Sequence, residues 1–433
     1  MHESPQWMSD WYEQSLNQFK STDNRGLDSV EAASHDFIDY DSLPSPLSPP
    51  NVAIVKLNGG LGTSMGCNGP KSLIPCVSNR TFLDIIIQQH EASPISSSLI
   101  LLNSFNTSAD TNTFFSQSYP TVKWTEIMQY PFKKINARTQ QPYESNDVAH
   151  FNPPGHGSVY FDLYHSGCLS TLKELGISYV FISNADNLAA TCDPKIAQYM
   201  ATSGCPFLME LTQKKPSDIK GGTVVRSNNH YRLWEIAQVG DDQLSDFHAQ
   251  PYFNTNNIWV NIDALIQAIE SHQLQLDLIF NKKTSGVESF IQLEYAMGSA
   301  IQSFHNGKAM VVPRQRFLPV KTTSDLLLLK SNVVAIDSNG ALAWDTDSSI
   351  SIQLNPPFHT IDGFNHYLKA IPLLKDATRF ELTGPVYFNH TVSCIGNVAI
   401  KANHSSPICI HPDIHKIEGK PPTNALISTS VQG

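Results

Sequence analysis

The chain has 433 residues, 41% hydrophobic and 16% charged, an ordinary globular composition and roughly the length of two or three domains. Its formal net charge is −10 and no block of Lys and Arg is long enough to read as a nucleic-acid stripe. An anionic substrate would therefore need the scarce cations gathered at one place, or a metal.

The seven cysteines are widely spaced and none forms C-x-x-C, which argues against a disulfide framework or a zinc site and for reduced, mostly buried thiols. The first residues, Met1-His2-Glu3-Ser4-Pro5, lack a basic patch followed by an apolar run, and no apolar run reaches about 18 residues. No signal peptide or membrane span is expected, and the expected compartment is the cytoplasm.

In chain order, residues 1–43 are polar with scattered aromatics (Trp7, Trp11, Tyr12, Phe19) and predict one or two amphipathic helices. The proline cluster from Pro44 to Pro50 removes backbone donors and blocks helix, so 1–50 reads as a helical segment and connector. Short β-branched apolar runs then predict buried strands at Val52–Leu57, Ser98–Asn103, Glu126–Met128, Tyr179–Asn184, Pro206–Leu211, Asn257–Val260 and Ala309–Val312. Helical patterns lie between several of them, at Thr81–Glu91, Ser158–Leu175 and Ser289–Phe304. The alternation predicts an α/β domain over 51–345, with a mixed, mostly parallel sheet flanked by helices. The runs Leu382–Phe388 and Val392–Ile400, rich in turns, predict a small β-rich, β-helix-like domain over 346–433. In parallel sheets, ligands sit at the carboxyl ends of the strands, which tells where to look.

The segment from Lys56 to Ser72 leaves a strand and holds five glycines, the last of them in Asn68-Gly69-Pro70-Lys71. Glycine admits positive φ and lets backbone N–H groups approach an anion, and Lys71 adds a charge suited to polyphosphate. The loop is not a P-loop, because Lys71 follows proline. It is not the dinucleotide fingerprint either, because Gly60, Gly62 and Gly66 are spaced one residue too long. Asp186 stands just past the Tyr179–Asn184 strand, where a carboxylate can ligate Mg²⁺ or cap the next helix. Lys321 ends an apolar stretch and precedes Thr322-Thr323-Ser324-Asp325, a helix start. Pro153-Pro154-Gly155-His156-Gly157 reads as a stiff turn followed by an imidazole, and Gln129 offers an amide that can both donate and accept.

The Leu57–Ser72 run resembles the nucleotide-binding loop of the eukaryotic-type UDP-glucose pyrophosphorylase family. The likeness continues in order through Leu102–Thr107, Pro153–Gly157, Ser183–Leu188, Lys220–Thr223, Glu235–Val239, Phe253–Asn257 and Phe317–Asp325, covering about residues 51–410. The residues after Gln129 (Tyr130, Pro131, Phe132) depart from the family's usual run, and the tail from Ile414 matches poorly.

The resemblance implies a nucleotidyltransferase fold of the glycosyltransferase A type and an enzyme that joins UTP and glucose 1-phosphate into UDP-glucose and pyrophosphate. It implies Mg²⁺ on Asp186 and catalytic roles for Lys71 and Lys321. It places Leu57, Asn58, Gly59, Gly60, Lys71, Gln129, Gly155, Asp186 and Lys321 at the nucleotide. It places His156, Asn184, Asn187, Gly222, Glu235, Asn254 and Asn256 at the sugar phosphate. A UDP-N-acetylhexosamine pyrophosphorylase and a non-catalytic nucleotide-sugar-binding relative are the competing readings. Nucleic acid and membrane are not expected partners, and both a monomer and a homo-oligomer fit the sequence.

Overall fold

The computed structural model describes residues 5–419 apart from 22–26, 28–29, 146, 216–217, 219–220, 286–287, 345–349 and 404. The boundary expected at 345–346, Lys220 of its motif, and the tail beyond 419 lie outside the described residues. The chain divides into two compact units, each assembled from separate stretches. One comprises Met1–Gly59, Ser93–Asn184 and Cys192–Phe317; the other comprises Gly60–Ala92, Ala185–Thr191 and Leu318–Gly433.

The first unit is built on an eight-stranded sheet. In chain order its strands are β1 (Ile38–Asp39), β2 (Val52–Leu57), β3 (Ser96–Ser104), β4 (Thr125–Gln129), β5 (Tyr179–Asn184), β6 (Phe207–Gln213), β7 (Tyr252–Asn261) and β8 (Lys308–Val311). Across the sheet the order is β1-β8-β6-β7-β5-β2-β3-β4. Only β7 runs antiparallel to its two neighbours, and the other pairings are parallel. A mixed, mostly parallel sheet is the architecture that strand–helix alternation predicts. The strands are continuous apolar runs because both faces are covered. Ala53, Val55, Val180 and Ile182 pack with Val159, Leu163, Leu169 and Leu265 from the flanking helices. Val180 and Ile182 are fully buried, each contributing about 1.5–3 kcal/mol of transfer free energy. Truncating either to Ala would open a cavity in the sheet core.

One helix, Gln6–Ser21, accounts for the N-terminal aromatics, and the proline cluster 44–50 forms neither helix nor strand, as expected. The helix expected over Ser158–Leu175 is two helices, Val159–His165 and Cys168–Glu174, separated at Gly167 with φ of 76°. The helix expected over Ser289–Phe304 is overturned. Glu288–Tyr295 is a strand paired antiparallel with Leu278–Ser285, and Met297–Ser303 is a run of 3₁₀ turns. Non-local pairing of the Phe290, Ile291 and Leu293 segment outweighs a helical spacing of its apolar residues.

In the second unit, strands Ser351–Leu354, Ala377–Thr383, Ser393–Lys401 and Lys416–Gly419 stack in parallel, in that order. Leu354 aligns with Leu382, and Leu382 with Ile400, so one buried side chain sits above the next. This is the β-helix-like ladder expected of the C-terminal region. Among the described residues no disulfide forms; Cys76, Cys192, Cys205 and Cys394 are buried and Cys409 is exposed. No helix among them is long and apolar enough to cross a membrane.

Candidate active site

A charged cluster lies within the second unit, where Lys71, Asp186 and Lys321 converge from three distant stretches. Lys71 follows Pro70 in the glycine loop. The loop is folded back by a Leu61–Pro70 bridge and by the Lys71 N–H donating to Gly60 O. Gly62 is obligatory there, because a Cβ would lie 2.8 Å from Cys67 Sγ. Lys321 is aimed by its neighbours. Leu318 N–H donates to Asn187 Oδ1 at 2.9 Å, and Val320 N–H donates to Asp186 O at 3.0 Å. Thr322 caps the helix Thr323–Lys330 in a capping box with Asp325, whose carboxylate also accepts from Lys321 N–H. Lysine at that point is thus held by backbone on both sides.

Asp186 Oδ2 accepts from Lys71 Nζ at 2.6 Å and from Lys321 Nζ at 2.8 Å. Its Oδ1 is buried and has no hydrogen-bond partner among the described residues. Burial alone would raise this carboxyl, but the Lys321 and Lys71 ammoniums outweigh it and hold it below the ordinary carboxylate range. Two cations to one anion leave a local positive charge in a chain of net −10. Asp186 is not a helix cap; the next helix, Pro194–Ser203, is capped by Asp193. No cluster of three or more His, Cys, Asp or Glu gathers among the described residues. A lone carboxylate with one unpartnered oxygen fits a hard cation that completes its shell with substrate oxygens and water.

The first unit carries its own set of neutral candidate residues. Leu57 and Asn184 are register partners at the carboxyl ends of β2 and β5, and Gln129 closes β4 two strands away. Asn58 Nδ2 donates to Asn103 Oδ1 and Thr111 Oγ1, which fixes the strand's exit. Gln129 Nε2 donates to Gly155 O and to Ser158 Oγ, both at 2.8 Å. A carbonyl only accepts, so the amide nitrogen must face it and Oε1 is left as an acceptor. A Cβ on Gly59 would lie 2.7 Å from that oxygen, so only glycine fits beside it.

Gly155 has φ of 82°, and a Cβ there would meet Tyr295 N at 2.6 Å. His156 Nδ1 accepts from Met297 N–H at 2.9 Å, which puts the proton of the neutral ring on Nε2. Asn254 Nδ2 would lie 3.5 Å from a Cβ on the adjacent Gly298. Asn254 and Asn256 bond to each other across a β-bulge, with Asn256 at φ of 58°. Gly222 pairs with Glu235 in a separate hairpin, and a Cβ on Gly222 would strike the Glu235 carboxyl. Burial pushes the Glu235 carboxyl up to about 7. No hydrogen bond among the described residues joins that pair to Asn254 or Asn256. Ser158 and Tyr295, which hold Gln129 and Gly155, escape a sequence reading. Ser158 looks like any helix-start serine, and Tyr295 lies in the segment misread as helix.

A large, mostly parallel sheet with polar residues at strand carboxyl ends, and a lysine–aspartate–lysine cluster that includes the lysine of a glycine loop, define a nucleotidyltransferase. The profile of the UTP–glucose-1-phosphate uridylyltransferase family matches residues 8–394, and the chain belongs to that family. The UTP–glucose-1-phosphate uridylyltransferase of Encephalitozoon cuniculi is 38% identical over 395 residues, 87% of this chain and 79% of the relative. That of Saccharomyces cerevisiae is 36% identical over 444 residues, covering 94% and 86%. Among solved structures, a point mutant of UDP-glucose pyrophosphorylase from Leishmania major in complex with UDP-glucose superposes with a TM-score of 0.86. It is 32% identical and covers 94% of this chain and 93% of that one.

Proposed function

We propose that the chain transfers the uridylyl group of UTP to glucose 1-phosphate, releasing pyrophosphate, in the cytoplasm. The observation that carries this reading is the Lys71–Asp186–Lys321 cluster, with its half-satisfied carboxylate and excess positive charge. A phosphate oxygen of glucose 1-phosphate forms a bond to the α-phosphorus. The bond from that phosphorus to the bridging oxygen breaks, and its electron pair leaves with pyrophosphate. The nucleophile is already ionised, so positioning and charge neutralisation supply the acceleration and no strong base is required. Lys71 holds the triphosphate, together with backbone of Leu57–Gly60, and Lys321 meets the charge that develops at the α-phosphate. Mg²⁺ is the cation we assign to Asp186 Oδ1, where it would neutralise phosphate oxygens.

The Gln129 amide, with both protons committed, presents an acceptor to the uracil N3–H. Cytosine has no proton at that nitrogen, so the fixed amide selects uracil. Gly155 backs the base. The Nε2–H of His156 donates to the sugar phosphate, and Asn184, Asn187, Gly222, Glu235, Asn254 and Asn256 line the hexose. The test is pyrophosphate release from UTP with a panel of sugar 1-phosphates. Glucose 1-phosphate is expected to be the preferred acceptor. Preference for N-acetylglucosamine 1-phosphate would reassign the sugar, and nucleotide binding without release would deny catalysis.

A further inference from the structure

The helix Gln6–Ser21 ends sixteen residues before β1, yet its buried face meets the segment that follows Gln129 and the strand that carries Tyr295. Tyr130 and Phe132 directly follow Gln129. Trp7 packs edge-on to Tyr130, with ring centroids 6.0 Å apart, and Trp11 packs on Phe132 at 5.3 Å. On its other side Trp11 stacks on Tyr295 at 4.6 Å and 25°. Ser15, fully buried, gives its one hydroxyl proton to Trp11 O at 2.7 Å, so the Tyr295 hydroxyl must donate to Ser15 Oγ at 2.8 Å.

Tyr295 is the anvil for the Pro154–Gly157 turn. Its N–H donates to Pro154 O at 2.8 Å, and its backbone and Cβ fill the space where Gly155 and Gly157 would carry side chains. Two residues later, Met297 N–H fixes the His156 ring. A group packed this closely transmits a displacement, because a close-packed interior has no slack to absorb it.

We infer that the N-terminal helix is part of the uridine-reading apparatus, with Trp11 and Ser15 as positioning residues that act through Phe132 and Tyr295 on Gln129 and Gly155. The inference rests on the assignment of Gln129 and Gly155 to uracil made above. It also gives the Tyr130-Pro131-Phe132 run, which departs from the family's usual one, a use: it is the dock for this helix. Phe132 and Tyr295 lie in the same unit as Gln129 and Gly155, so the helix's effect falls on the base and not on the phosphates.

The experiment uses the full chain and its Trp11→Ala, Trp11→Phe and Ser15→Ala variants. Calorimetry measures affinity for UMP and, separately, for pyrophosphate, well below each variant's melting temperature. Trp11→Ala is expected to weaken UMP about tenfold while pyrophosphate moves less than about twofold, as misplacement of a binding group predicts. Trp11→Phe keeps the stacked ring and restores most of the loss; Ser15→Ala gives a smaller, same-signed loss. Wild-type UMP affinity in folded Trp11→Ala, or equal losses for UMP and pyrophosphate, overturns the inference. Should Trp11→Ala not fold, unchanged UMP affinity in Ser15→Ala overturns it instead. A wild-type chain that binds UMP but releases no pyrophosphate from UTP and glucose 1-phosphate defeats the enzymatic reading alone. A wild-type chain that binds no UMP defeats both.

Discussion

Two ionic clusters, one in each unit, are made of the same ingredients and are finished differently. In the first unit Glu210 is fully buried and every lone pair is used. Its Oε1 accepts from Arg316 Nη2 and Trp259 Nε1, and its Oε2 accepts from Arg316 Nε and Asn257 Nδ2, all within 2.7–3.0 Å. Arg316 also reaches Asp193, which accepts from Tyr40 as well. In the second unit Asp186 takes two ammoniums on one oxygen and nothing on the other. A saturated network can only lose by admitting a ligand, and a half-satisfied carboxylate gains by it. Satisfaction, not charge, separates the cluster that holds shape from the cluster to which we assign the chemistry.

Substitutions in the two clusters should therefore fail in opposite ways. Lys321→Ala is expected to lower turnover by about a thousandfold, the scale of a lost transition-state charge partner, with little change in melting temperature. Near-normal turnover would take Lys321 out of the chemistry. Glu210→Gln leaves Arg316 buried beside a neutral amide and should cost about 3–5 kcal/mol of stability, read by urea unfolding. If it instead spares stability and lowers turnover, the contrast collapses. Gln129→Ala removes an acceptor but no charge. It should raise the KM for UTP on the order of tenfold and narrow the preference for UTP over CTP, which competition kinetics would read.

A separate effect concerns Asp162, buried with neither carboxyl oxygen hydrogen-bonded among the described residues. Burial pushes its carboxyl up to about 8, with the Ser158 hydroxyl pulling the other way. The unfolded chain releases that proton near 3.8, so between these values the folded state holds the extra proton. Stability contributed by the neutral acid is present at low pH and is lost as pH rises through that window. Asp162→Asn should lose less stability than the wild type between about pH 5 and pH 8.5. Equal losses would show that the carboxyl ionises without cost.

Much of this was legible in the chain, for reasons that vary by residue. The strands β2 and β5 were readable to their ends because both faces are buried and the runs are apolar throughout. Lys71 and Asp186 stood out because each follows a predicted strand, and Lys321 because it precedes a predicted helix start. That the three meet was implied by the family resemblance and not by their spacing. Glu288–Tyr295 was misread because Phe290, Leu293 and Met297 also satisfy helical spacing, and its partner strand could not be read locally. Glu210 and Arg316 were invisible for a similar reason, since their bond spans 106 positions, from an apolar strand to the polar turn Arg314–Arg316. The N-terminal aromatics announced a buried face without saying what it covers.

The central claim is that the unfinished carboxylate is the reaction centre, and Asp186→Asn tests it with almost no change of shape. Pyrophosphate release from UTP and glucose 1-phosphate, with Mg²⁺ and with excess chelator, is the measurement. The account predicts that the wild type stops in chelator, and that Asp186→Asn falls by at least about a hundredfold while folded. Full turnover by Asp186→Asn, or by the wild type in chelator, would contradict it.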